Sequence, residues 1–206
     1  MLKIWGRISS INVRKVVLTA QLLELAFERR DAGAGFGIVQ TPQYRQHNPN
    51  ALVPLLEDGD FALWESNVIV RYLAASHGDG RLYPTELRAR FDAERWMDWQ
   101  QTTLNGAGRE AFMQCIRTPA DRRDARALAT SVQATEPLLA LLDAQLASRP
   151  FMAGDHLTIA DIPIACEMHR WWGLPLEHPP HPCLRRWYDG IRQLPAARGV
   201  LDLPLS

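Results

Sequence analysis

Net charge, cysteine and long apolar runs are all scarce in this chain. Lys plus Arg and Asp plus Glu number 23 each, so the formal charge is zero. Nucleic acid and anionic membrane both ordinarily call for a basic excess, so neither is expected as a partner. The three cysteines, Cys115, Cys166 and Cys183, are far apart and form no C-x-x-C pair. An odd number of scattered thiols fits reduced, packed residues in a cytoplasmic protein better than a disulfide framework. Arg7 interrupts the opening MLKIWGRISS, so no secretory signal is expected, and no apolar run approaches membrane-spanning length.

Several catalytic signatures are missing as well. There is no P-loop, no H-E-x-x-H and no G-x-S-x-G. The stretch AGAGFG, Ala32 to Gly37, lacks the third glycine of a dinucleotide fingerprint and is followed by Thr41-Pro42, so it reads as a loop. Cys166 and His169 stand at i, i+3, and His178 and His181 flank two prolines. A metal site usually needs three or four convergent ligands, so these pairs predict no metal. Arg185-Arg186-Trp187-Tyr188, in a neutral chain, reads as an amphipathic helix rather than a nucleic-acid patch.

What is present divides into two regions. The length of 206 residues suits two compact domains, and 47% apolar content is enough to build a core. Leu2 to Trp5 reads as a strand. Val13, Val16, Val17, Ala20 and Leu23 then recur at helical spacing, predicting a helix to about Ala26. Phe27 to Asp31 is a second strand, and Asp58-Gly59 between apolar runs predicts a hairpin. Ser66, a favoured N-cap, opens a helix carrying Ile69, Tyr72 and Leu73 on one face.

This α/β domain is placed at 1–78, a linker at 79–84 and an all-helical domain at 85–206. In the second domain, Thr85 to about Ile116 predicts one long helix with Phe91, Trp96, Trp99 and Phe112. Thr118-Pro119-Ala120-Asp121 reads as the start of a helix to about Ala147, kinked or divided at Pro137. Thr158 to Asp161 is a capping box, and a last helix spans Pro182 to Gln193. Trp96, Trp99, Phe112, Trp171 and Trp172 read first as core, and as a group they are also able to line an apolar pocket.

Four segments in order carry a resemblance to a known family. They are Ser10-Ile11-Asn12-Val13-Arg14-Lys15-Val16 after the opening strand, N-P-N-A-L-V-P at Asn48 to Pro54, L-W-E-S-N-V-I-V-R-Y-L at Leu63 to Leu73, and F-M-A-G-D-H-L-T-I-A-D at Phe151 to Asp161. Over its whole length the chain resembles the cytosolic glutathione transferase superfamily, in its bacterial, serine-type, theta- or nu-like form. The resemblance implies a thioredoxin-like N-terminal domain that binds glutathione as co-substrate. It also implies a helical domain that forms most of the acceptor pocket, a homodimer, and a role in detoxification. The fourth segment is structural in the family, so Thr158 and Asp161 are left out of the site.

A free thiol with a pKa near ~8.5 is only a few per cent ionised at neutral pH. A hydroxyl donor or a helix N-terminus that favours the anion lowers that value. Ser10 matches the activating serine of serine-type members. Asn12 matches the asparagine that some bacterial members, including glutathione-dependent disulfide reductases, place beside the sulfur. Ser9 is the third candidate, as the first serine of a pair in zeta-like members, although Ile11 replaces that group's cysteine.

Val53-Pro54 resembles the family's cis-proline segment, and Glu65-Ser66 the pair that binds the γ-glutamyl end. Leu52 stands where many members carry Lys or Gln, leaving Arg7, Gln40 or His47 for the glycyl carboxylate. The expected reaction is attack by the thiolate on an apolar electrophile lodged against Trp99 and Phe112. The alternatives are glutathione-dependent disulfide reduction and a non-catalytic binding or assembly module of the same fold.

Overall fold

Leu2 and Ile4 alternate with half-buried neighbours along β1 (Leu2–Trp5), and both are buried. β1 is central in a four-stranded sheet of order β2-β1-β3-β4. It pairs in parallel with β2 (Phe27–Arg30) and antiparallel with β3 (Leu55–Asp58), which pairs antiparallel with β4 (Phe61–Trp64). Asp58 pairs with Phe61, so the hairpin turn is Gly59-Asp60, one residue later than the sequence pattern predicts. The computed structural model describes residues 1–206.

Helix α1 (Ile11–Leu22) crosses between the two parallel strands. It ends four residues short of the expected Ala26, because Glu24 turns the chain into positive φ at 54° before β2 begins. A short helix, α2 (Pro42–His47), follows the loop read from sequence through Thr41-Pro42. Thr41 caps it, its Oγ1 accepting from the Tyr44 N–H at 3.3 Å, and Pro42 sits at the first position. α3 (Ser66–His77) follows β4 and packs against α1.

The rest of the chain is helical apart from loops and short turns. α4 (Leu87–Trp99) is capped by Glu86, which accepts from the N–H groups of Arg88 and Ala89 at 3.0 and 2.7 Å. It continues through a π-helical segment at Gln100–Leu104 into α5 (Asn105–Phe112) and a second π segment at Met113–Arg117. The predicted long helix therefore exists, with two wide turns inside it.

Thr118-Pro119 does not open the next helix. A 3₁₀ turn at Ala120–Arg122 intervenes, and α6 (Ala125–Ala147) starts at Asp124, which accepts from Arg126 and Ala127 at 2.9 and 3.0 Å. Pro137 lies inside α6 without dividing it. α7 (Asp161–Trp172) and α8 (Pro182–Arg192) complete the fold.

One apolar core is continuous across both regions. It runs from Ile4, Val16 and Leu73 through Met97 to Leu142 and Ile164. A smaller cluster of Ala32, Val39, Tyr44, Ala51 and Leu55 is separate from it. α1 packs against α3 and also against α7, so the start of α1 lies where the thioredoxin-like and helical parts meet.

Candidate active site

Ser10 is the N-cap of α1, with φ −79° and ψ 125°, yet its side chain makes no capping hydrogen bond. The Ser10 carbonyl still accepts from the Arg14 N–H at 3.0 Å, so helical bonding begins there without the hydroxyl. Gly6 makes the approach possible. Its φ is +148°, and a Cβ there would stand 2.4 Å from Val13 Cγ2 and 3.1 Å from Val53 Cβ. β1 can therefore turn into α1 with Val53 packed close by.

Ser9 and Ser10 open onto a cavity of about 120 Å³. The N-terminal part of its wall is Arg7, Ile11 and Arg14, and the helical part is Phe112, Cys166, His169 and Arg170, with Leu205 from the chain's last residues. Asn12, on the first turn of α1, is not part of that lining, and its buried Oδ1 has no hydrogen-bond partner. Trp99 is also absent from the lining: it is half-buried, its ring edge-on to Trp96 at 5.5 Å between centroids. Of the two expected acceptor residues, Phe112 alone faces this cavity together with Ser10.

The other expected residues lie around the thioredoxin-like part. The Val53-Pro54 bond is cis. The loop before it is fixed at the Leu52 carbonyl, which accepts from Tyr44 Oη at 2.6 Å and Asn48 Nδ2 at 2.8 Å. Glu65 holds φ at 73° as the N-cap of α3, a left-handed conformation that costs a non-glycine residue on the order of 1–3 kcal/mol. Ser66, the first residue of α3, is buried. His47 is exposed at the end of α2, and Gln40 accepts from Arg45. Leu52 is 66% exposed.

The thiol and imidazole in the cavity wall are poor acid–base groups. Burial pushes the Cys166 thiol up to about 12, against the pull of Lys15 and Arg14. Burial and then Arg14 push His169 down to about 4, and its Nδ1 lies 3.2 Å from the Tyr188 hydroxyl. Both are therefore neutral at physiological pH.

Sequence reasoning gave no role to Lys15, Gln100, Glu167 or Arg170, which form a buried polar chain next to the cavity. Lys15 Nζ donates to Gln100 Oε1 at 2.8 Å and Gln101 Oε1 at 3.0 Å, and Gln100 Nε2 donates to Glu167 Oε2 at 2.7 Å. Glu167 also pairs with Arg170, which donates to Asn105 Oδ1 at 3.0 Å. A charged residue inside the apolar stripe of α1 was the available signal for Lys15, since a buried lysine demands partners.

Comparison with known proteins places the chain in a family. The family description "Glutathione S-transferase, N-terminal domain" matches residues 1–75, and "Glutathione S-transferase, C-terminal domain" matches residues 124–190. Glutathione S-transferase GstB of Escherichia coli strain K12 is 44% identical over 208 residues, covering all of both chains. The chain belongs to the glutathione S-transferase family.

Among solved structures, the theta class glutathione S-transferase from Xanthomonas axonopodis pv. citri with glutathione bound superposes with a TM-score of 0.96. It is 40% identical, with 100% of this chain and 99% of that one covered. Human glutathione S-transferase theta-1 is 30% identical over 160 residues, 75% of this chain and 67% of its own length. The fold expected from sequence, a thioredoxin-like domain followed by a helical one, is the fold of this glutathione transferase. No helix in it is long and apolar enough to cross a membrane.

Proposed function

We propose that this glutathione transferase holds the glutathione thiolate on Ser10 and directs it at a small electrophile seated against Phe112. The observation that carries the reading is the Ser10 hydroxyl: it stands at the N-terminus of a twelve-residue helix, unused as a cap, on the wall of the cavity that includes Phe112. A donor there and the positive end of α1 both favour the thiolate over the thiol. Asn12 assists from the first turn of the helix, outside the cavity lining, and Ser9 flanks the sulfur. The backbone of Val53 beside cis-Pro54 pairs with the cysteinyl unit, Ser66 and Glu65 hold the γ-glutamyl end, and His47 faces the glycyl carboxylate. The glutathione sulfur forms its bond to the electrophilic carbon, and the leaving group departs with its electron pair.

The glutathione-bound relative supports glutathione as co-substrate. A homodimer fits the exposed apolar side chains of Phe61, Trp64, Val68, Leu87 and Phe91, drawn from β4, α3 and α4. Steady-state conjugation of 1-chloro-2,4-dinitrobenzene tests the site. Ser10→Ala is expected to lower kcat/KM at least tenfold and to raise the pKa of bound glutathione by about one unit, read from thiolate absorbance. Full activity in Ser10→Ala, with loss in Ser9→Ala or Asn12→Ala, reassigns the contact. Turnover of hydroxyethyl disulfide above that of the aryl chloride moves the enzyme to the disulfide reductase reading.

A further inference from the structure

The cavity wall carries three arginines, Arg7, Arg14 and Arg170, and no carboxylate. A fourth, Arg117, has its guanidinium 5.5 Å from the Phe112 ring centroid, and that of Arg170 is 5.6 Å from the same ring. In a chain with equal numbers of acidic and basic residues this is a local surplus. The compensation of each charge differs. Glu167 answers Arg170. Arg14 donates to the carbonyl oxygens of Val200 and Pro204, with Asp202 nearby. Arg117 donates to the carbonyl of Ser206 and pairs with no carboxylate side chain.

Arg7 is the exception. Its side chain makes no hydrogen bond or ion pair within the protein, and its Nε is buried without a partner. Arg117 lies near enough for its charge to weaken Arg7's hold on its proton, after burial itself. An entirely apolar electrophile would leave the Arg7 charge facing low-dielectric surroundings unanswered, whereas an acidic group would pair with it.

We propose that the electrophile taken by this site carries a carboxylate, placed on the Arg7–Arg117 side, with its apolar part against Phe112. The proposal rests on the transferase reading above and narrows its substrate class. In the reaction the glutathione sulfur–carbon bond forms and a carbon–halogen bond breaks. Halide leaves with the electron pair, and the carboxylate is unchanged throughout.

The test compares 4-chloro-3,5-dinitrobenzoate with 4-chloro-3,5-dinitrobenzamide, which share ring and leaving group, each normalised to its uncatalysed rate with glutathione. The expected preference for the acid in kcat/KM is about tenfold or more, falling with added salt. Arg117→Gln is expected to abolish most of that preference while leaving turnover of the amide unchanged. Arg7→Gln is expected to reduce the same ratio. If Arg7→Gln instead raises KM for glutathione equally with both electrophiles, and neither variant alters the ratio, the arginines serve glutathione and the proposal is overturned.

Equal normalised rates in the unaltered enzyme overturn it too, and leave the transferase reading standing. Calorimetric titration with the two glutathione conjugates reads the preference without turnover. If neither electrophile reacts but the acidic conjugate binds about tenfold tighter, the transferase reading falls and the charge preference stands. Equal binding of the two conjugates in that case removes both.

Discussion

Asp161 and Ser10 show how a polar residue at a helix start is put to different ends. Asp161 is fully buried and accepts from the N–H groups of Met152 and Thr158, the Thr158 hydroxyl and Trp187 Nε1, at 2.9 to 3.3 Å. It ties the loop before α7, and α8 behind it, into one unit. Ser10 caps nothing with its side chain. Asp161→Ala strands those donors in the core and is expected to cost about 3–5 kcal/mol in urea denaturation. Asp161→Asn should fall between, because its carbonyl can keep the Met152 and Trp187 bonds while its amide opposes the Thr158 N–H. The activity of the folded fraction should not change in either variant.

The elements divide by how local their signals are. Thr-Pro occurs twice, and the two copies have different outcomes. Thr41-Pro42 caps α2, in a stretch the sequence pattern gave to loop, while Thr118-Pro119 leads only into a 3₁₀ turn. Gln114 supplies the difference at the second copy: its Oε1 accepts from the Asp124 N–H at 2.8 Å, fixing the helix start at Asp124. That contact joins side chain and backbone across ten positions, and no local pattern reveals it. Asp124→Ala should therefore cost about 1 kcal/mol in denaturant melts and Thr118→Ala less than about 0.5 kcal/mol. The reverse order would return the cap to Thr118.

The candidate site divides in the same way. Ser9, Ser10, Val53-Pro54 and Glu65-Ser66 were named from the family resemblance, and each sits next to a strand or helix end. His169, Arg170 and Leu205 were not. They reach Ser10 only through the packing of α7 and the chain's last residues on α1. The pairing of Cys166 with His169 was visible as a helix face, but its meaning depends on which neighbours face it. The two π turns were illegible for a similar reason, since the wide turn at Gln100 is stabilised by Lys15 and Glu167 from other elements.

At the scale of the whole molecule, the buried Lys15 couples the two domains to pH. Burial pulls its pKa down to about 8, with Glu167 the largest opposing influence. Between about pH 8 and the ordinary lysine value of 10.5, the unfolded chain keeps a proton that the folded chain has released. The unfolded state then binds more protons, so stability rises with pH across that window, while below it both states are protonated and the slope vanishes. The stability difference between the unaltered protein and Lys15→Met should shift toward the former by about 2–3 kcal/mol from near pH 7 to near pH 10. A gap constant with pH would mean that Lys15 keeps its charge throughout.

The same contacts bear on the order in which the protein is made. The thioredoxin-like part leaves the ribosome first, carrying Arg14 and Lys15 on the face of α1. The groups that receive them, Gln100, Gln101, Val200 and Pro204, are translated later, the last two within seven residues of Ser206. Until then two cations occupy a surface that must become interior. The nascent first domain is thus held in an unfinished state until the helical domain has been made, and Arg14 receives its partners only with the segment from Val200 to Pro204.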